Sequence, residues 1–143
     1  MGVFAENSGL GQRKVGGCRF LGGVAISGDY AAVGAEGNLD SGSVYIFRNE
    51  EGVWKEIQRL RGVDEVGFGQ SVTMKGNRLI VGSSGNNSNG IEYTGSAYIF
   101  ENMDGVWTKI QRLEASDGRE EDFFGFTLAT EGDNIVVGAL AND

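Results

Sequence analysis

The chain reads as short apolar runs broken by glycine-centred polar segments. Within residues 68–123 four such runs follow one another: Ser71 to Met74, Arg78 to Ser83, Ser96 to Glu101 and Val106 to Leu113. Runs this short, bounded by turn residues, predict strands. Lys75-Gly76-Asn77 joins the first two and puts glycine first in a two-residue hairpin turn, where a type II′ turn demands positive φ. Gly28-Asp29 and Gly132-Asp133 repeat that chemistry. Asn102-Met103-Asp104-Gly105 joins the third and fourth runs, as Asn49-Glu50-Glu51-Gly52 does earlier, and the closing glycine suits a left-handed position. The third run in its earlier copy, Val44-Tyr45-Ile46-Phe47, is apolar at every position, so both faces of that strand need cover.

The pattern repeats. Gly42-Ser43-Val44-Tyr45-Ile46-Phe47 returns 53 positions later as Gly95-Ser96-Ala97-Tyr98-Ile99-Phe100. Val53-Trp54-Lys55-Glu56-Ile57-Gln58-Arg59-Leu60 returns at the same offset as Val106-Trp107-Thr108-Lys109-Ile110-Gln111-Arg112-Leu113. Val33-Gly34-Ala35 recurs as Val81-Gly82-Ser83 and Val137-Gly138-Ala139. Residues 20–67 form one unit, 68–123 a second, and 124–143 open a third. Residues 1–19 hold a degenerate half-unit or an N-terminal extension, with Glu6-Asn7 and Gln12-Arg13 echoing Glu101-Asn102 and Gln111-Arg112. Four strands per unit, with a third strand covered on both faces, predict an all-β chain of propeller-type blades of four antiparallel strands. About two blades are full, with partial blades at both ends, all in one domain. A solenoid or an internally duplicated sandwich would also cover that strand. Closed propellers need four to eight blades, so the expectation is a homo-oligomer or a part of a larger propeller.

Composition narrows the chemistry. Glycine supplies 25 of the 143 residues and proline none, which suits many tight turns rather than a linker or collagen. Histidine is absent, which removes Ser-His-Asp and Cys-His catalysis and most zinc and haem ligation. The one cysteine, Cys18, forms neither an internal disulfide nor a Cys-x-x-Cys site. A net charge of −8 argues against nucleic acid or an anionic membrane as partner. No apolar run approaches a membrane span, and the N-terminus shows no signal-peptide core.

The motifs resemble the FG-GAP repeat, the blade motif of integrin α-chain β-propellers and of many surface proteins. Phe68-Gly69 precedes Val81-Gly82-Ser83, and Phe124-Gly125 precedes Val137-Gly138-Ala139; the first copy, Phe20-Leu21 before Val33-Gly34-Ala35, lacks the glycine after phenylalanine. Ala115-Ser116-Asp117-Gly118 and Asp122-Phe123-Phe124-Gly125 look like the inter-blade linker of bacterial-type members. The resemblance spans residues 20–143 and implies a propeller, a binding or adhesion role and an extracellular or cell-surface leaning. Integrin-type blades carry an Asp-x-Asp-x-Asp-Gly calcium loop where this chain has only Ser27-Gly28-Asp29, Lys75-Gly76-Asn77 and Glu131-Gly132-Asp133. Calcium takes six to eight oxygen ligands, which a two-residue turn does not supply, so no cofactor and no metal is expected, with calcium left as an alternative that no such loop supports.

Antiparallel strands put the 1–2 and 3–4 turns at one end of each blade and the 2–3 and 4–1 connections at the other. The second end carries the length variation, five extra residues before Gly95 and three before Phe124, and variable loops gathered on one face commonly form a binding surface. The candidate binding residues are Asp40 and Ser41, Asn86, Asn87, Glu92 and Tyr93, and Asp117 and Asp122. The amides with Glu92 and Tyr93 suit a protein or carbohydrate ligand; the plain alternative is a flexible solvated loop. Asn86-Asn87-Ser88 also matches the glycosylation pattern, a match that asparagine-rich sequence produces by chance. The loop 114–122 holds Glu114, Asp117, Glu120, Glu121 and Asp122. Paired carboxylates there would serve glycoside hydrolysis, or hold a cation outside the integrin position; a solvated acidic turn, with Asp122 pinning the backbone before Phe124, is the structural reading. Trp54 and Trp107, recurring with the period, read as blade packing, and Arg59 and Arg112 as edge-strand charges that oppose aggregation. The expected function is a non-enzymatic binding or adhesion-type module. A hydrolase-like or accessory carbohydrate-active domain, or a fragment without independent activity, are the alternatives.

Overall fold

The computed structural model describes residues 3–4, 13–14, 22–35, 41–63, 66–88 and 90–140. The expectations that fall on Cys18, Phe20-Leu21 and Asp40 lie outside them. Among the described residues there is no helix. A short hairpin pairs β1 (Val3–Phe4) with β2 (Arg13–Lys14). The first full sheet runs β3 (Val24–Ser27), β4 (Tyr30–Ala35), β5 (Ser43–Glu50), β6 (Val53–Arg61), and the second β7 (Phe68–Lys75), β8 (Arg78–Ser83), β9 (Ser96–Met103), β10 (Val106–Leu113). In each, every strand pairs antiparallel with its sequence neighbour. A third sheet pairs β11 (Thr127–Glu131) with β12 (Asn134–Gly138). The molecule is built of propeller-type blades.

Both kinds of turn follow the local sequence. Gly28, Gly76 and Gly132 all sit at φ 58° at the first turn position, and the residue after each stays outside the left-handed region, as a type II′ turn requires. At the 3–4 turns both central residues are left-handed, Glu51 with Gly52 and Asp104 with Gly105, which is type I′. There the Asn49 and Asn102 side chains accept the Gly52 and Gly105 N–H groups at 2.9 and 2.8 Å. The fourth strand of each full sheet bulges at the same repeat position, Ile57 and Ile110. The first strand is longer than its apolar run: β7 starts at Phe68, and an irregular pairing between Phe68 and Val72 absorbs the Phe-Gly motif.

The sheets stack face to face. Ala32, Val44, Ile46 and Leu60 of the first meet Phe68, Val72, Met74, Leu79, Val81, Tyr98, Phe100 and Trp107 of the second in one buried core. Full burial of side chains of this size contributes about 1.5–3 kcal/mol each. The other face of the second sheet, Ile80, Ala97 and Ile99, packs on Leu128, Ile135 and Val137 of the third. The third strand, β5, is buried at Val44, Tyr45, Ile46 and Phe47 alike, so its all-apolar sequence answers to cover on both faces.

Only part of the glycine serves turns. Gly28, Gly52, Gly76, Gly105 and Gly132 occupy turns with open space around them. Gly34 and Gly82, inside strands and with ordinary φ, instead sit directly against backbone of the next sheet: a Cβ on Gly34 would overlap the Gly69 carbonyl oxygen, and one on Gly82 the Gly125 carbonyl oxygen. The Gly23 N–H donates to that Gly69 oxygen at 3.1 Å, and the Ser71 hydroxyl donates to the Gly125 oxygen. The motif glycines are therefore the points where successive blades touch backbone to backbone.

Candidate functional site

The two long connections of the second unit lie side by side. Residues 92–94 run parallel to 121–124, with the Glu121, Phe123 and Phe124 N–H groups donating to the Glu92, Tyr93 and Thr94 carbonyls at 3.2, 3.0 and 2.9 Å, and Gly95 bridging to Phe124. Three bulky residues in this pair hold left-handed backbone: Tyr93 (φ 53°), Glu121 (φ 63°) and Phe123 (φ 52°). Such conformations cost about 1–3 kcal/mol each and persist only where surrounding structure enforces them. Here they turn two aromatic rings onto one another, with Tyr93 and Phe123 stacked at 5.9 Å and 29°. Tyr93 is 43% exposed, and Ile91, Glu92, Glu120 and Glu121 around it are exposed as well.

The loop 84–95 is folded on itself rather than loose. Ser88 and Ile91 exchange two backbone hydrogen bonds, at 3.1 and 2.9 Å, and the Tyr93 N–H donates to Asn87 Oδ1 at 3.0 Å. Asn86 is buried: its Nδ2 donates to the Tyr98 hydroxyl at 2.9 Å and its carbonyl accepts the Gly95 N–H at 2.9 Å. That places the amide of the glycosylation pattern inside the fold. The Ser84 hydroxyl bonds the Gln70 side chain, tying the loop's root to β7.

The nominated residues thus separate. Asn87, Glu92 and Tyr93 are exposed on the same loop, and Ser41 is exposed just before β5. Asn86 anchors the loop from inside. Asp122 is buried as well, its Oδ2 accepting the Arg119 N–H at 2.6 Å and its carbonyl accepting the Leu140 N–H at 2.9 Å, so it holds the linker ahead of Phe124. Asp117 is exposed. Among the described residues no three His, Cys, Asp or Glu side chains converge as a metal site would require. Phe123 joins the site without having been nominated; its sequence signal was the Phe-Phe-Gly of the linker, which does not mark it as a site residue until its backbone is seen.

The recurring large residues have packing roles. Trp107 is 2% exposed and meets Tyr30 of the first sheet edge-on at 5.4 Å. Arg59 and Arg112 do more than charge an edge: each lies over a tyrosine of its own sheet, Tyr45 at 5.0 Å and Tyr98 at 5.9 Å, and donates to Ser43 and Ser96 respectively at 3.0 Å. Gln58 spans two sheets, its Nε2 donating to the Trp107 carbonyl and its Oε1 accepting the Trp107 N–H, both at 2.8 Å.

Face-to-face antiparallel sheets joined through paired glycines, with folded loops at one end, define a repeat protein of the propeller class. The FG-GAP repeat family model matches residues 16–47, 54–100 and 107–143, most of the chain, and the protein belongs to that family. The second match runs from Trp54 in β6 to Phe100 in β9, so the family's unit takes the outer strand of one sheet with three strands of the next. No curated protein matches the chain significantly.

Proposed function

We propose that this protein is a non-enzymatic binding module of the adhesion type, acting through the end of the blades that carries residues 84–95 and 114–123. The FG-GAP family is generally non-enzymatic and its modules often bind, which supports the coarse reading. The observation that carries the finer one is the Tyr93–Phe123 pair: two left-handed aromatic residues stacked at the surface. Backbone strain held in place by a hydrogen-bonded loop is stability given up for a fixed side-chain arrangement. A tyrosine so placed offers one apolar ring face and a hydroxyl, with the Glu92 carboxylate nearby in the chain to accept hydrogen bonds and Asn87 Nδ2 to donate one. That combination suits the apolar face and hydroxyls of a sugar ring, or an extended peptide. By resemblance to its family, the setting is extracellular or cell-surface, with no cofactor required.

The test is an array of immobilised glycans and extended peptides probed with the labelled protein and with its Tyr93→Ala variant. The wild type should retain a defined subset that the variant loses at least tenfold, while Thr108→Ala on exposed β10 leaves retention unchanged. Equal retention by wild type and Tyr93→Ala across every bound probe would refute the site.

A further inference from the structure

Of the four tyrosines in the chain, three carry a cation on the ring. Arg48 lies over Tyr30 at 5.8 Å, Arg59 over Tyr45 at 5.0 Å, and Lys109 and Arg112 over Tyr98 at 5.1 and 5.9 Å. The sheets supply these partners, because the strand registers set Tyr30 opposite Arg48, Tyr45 opposite Arg59 and Tyr98 opposite Arg112. Tyr93, the fourth, lies between β8 and β9, where no strand register provides an arginine. Phe123 stacks on its ring, yet the residue stays 43% exposed. Among the described residues no cation lies over it.

The charge beside that ring is nearly all of one sign. Residues 91–95 and 114–123 hold six carboxylates and one cation, Arg119. Asp122 is buried as an anchor, and Glu114 pairs with Arg112 at 2.6 Å. The other four, Glu92, Asp117, Glu120 and Glu121, are exposed, and none forms an ion pair with a described residue. The Glu121 N–H bond to the Glu92 carbonyl joins the two acidic segments at Tyr93. A neutral ligand would leave these carboxylates uncompensated, whereas a cationic one is drawn to them. A guanidinium is planar, so it stacks on an aromatic face while its N–H groups reach carboxylates at the edge.

Resting on the binding role proposed above for this end of the blades, we infer that the ligand is a basic segment of a partner protein. An arginine of that segment lies on the open face of Tyr93 and pairs with Glu92 and Glu121. Tyr93 thereby receives from outside the kind of partner that Tyr30, Tyr45 and Tyr98 receive from their own sheets.

Fluorescence anisotropy on the full chain tests this with labelled glycine-serine octapeptides that carry either arginine or citrulline, the neutral isostere. The arginine peptide should bind about tenfold more tightly at low salt, and the advantage should shrink at high salt. Tyr93→Ala should abolish the advantage, while Tyr93→Phe should keep it, because the ring face and not the hydroxyl carries the contact. Glu92→Gln with Glu121→Gln should weaken the arginine peptide by about fivefold. Asp29→Asn with Asp104→Asn, which removes the same charge from exposed turns at the other end of the blades, should leave it unchanged. All these positions are exposed, apart from the stacked face of Tyr93, so each variant should keep the wild-type far-ultraviolet circular dichroism. Equal binding of the arginine and citrulline peptides overturns the inference, and so does equal weakening by the two double variants, which would mean attraction by net charge alone. A glycan that wild type retains and Tyr93→Ala loses, with no preference for arginine, would overturn this inference and leave the binding role standing. Indifference of every probe to Tyr93→Ala would defeat both.

Discussion

Replacing Gly34 by alanine puts strand propensity and blade packing in opposition. Gly34 lies inside β4 with ordinary φ, so propensity alone expects alanine to stabilise by about 0.5–1 kcal/mol. The added Cβ, however, would overlap the Gly69 carbonyl oxygen of the second sheet, and its next neighbours are also backbone, Gly69 C and Gly23 N. No flexible side chain can yield, so the sheets must part locally. Overpacking of this kind costs about 1–3 kcal/mol. Parting also weakens the Gly23 N–H bond to the same Gly69 oxygen, about 1 kcal/mol more. The net expectation is a loss of about 2–3 kcal/mol, or roughly 10 °C in Tm for a chain of this size. Thermal and urea unfolding followed by circular dichroism reads it, with Gly118→Ala as control. Gly118 also has ordinary φ, and its nearest prospective neighbour is at 3.4 Å, so that variant should stay within about 0.5 kcal/mol of wild type. A Gly34→Ala protein as stable as the control, or more so, would refute the backbone-to-backbone contact between blades.

Other substitutions probe separate links in the same structure. Gln58→Ala removes both hydrogen bonds to the Trp107 backbone and should cost about 1–2 kcal/mol in urea unfolding, with amide exchange at Trp107 accelerated. Asp122→Ala leaves the Arg119 N–H without its acceptor and should cost a similar 1–2 kcal/mol, whereas Asp117→Ala, at an exposed position, should change stability by less than about 0.5 kcal/mol. Equal effects of the two aspartates would contradict the anchoring role given to Asp122.

Strand positions were legible because each depends on residues close in sequence. The run Arg78 to Ser83 is β8 to the residue, and Gly76 fixes its hairpin through its own φ. The all-apolar third strand announced cover on two faces, and the repeat announced what would provide it. The candidate site was legible only as a pair of loops. Asn86 looked like a ligand because it is polar and sits in a loop, and Asp122 stood both as a ligand and as a pin for the backbone before Phe124; burial and hydrogen bonds make both of them anchors. Phe123 stood only as part of the linker motif, because left-handed backbone at an aromatic residue leaves no mark in composition.

The sequence by itself determined the unit: four strands, their turns and the order in which they recur, since periodicity and turn chemistry act over a few residues. Only the tertiary structure decided why Gly34 and Gly82 are glycine, what Gln58 clamps, and which loop residues face outward. Each of those depends on atoms one whole repeat away, and a contact between distant units follows from how sheets stack, which local sequence does not encode.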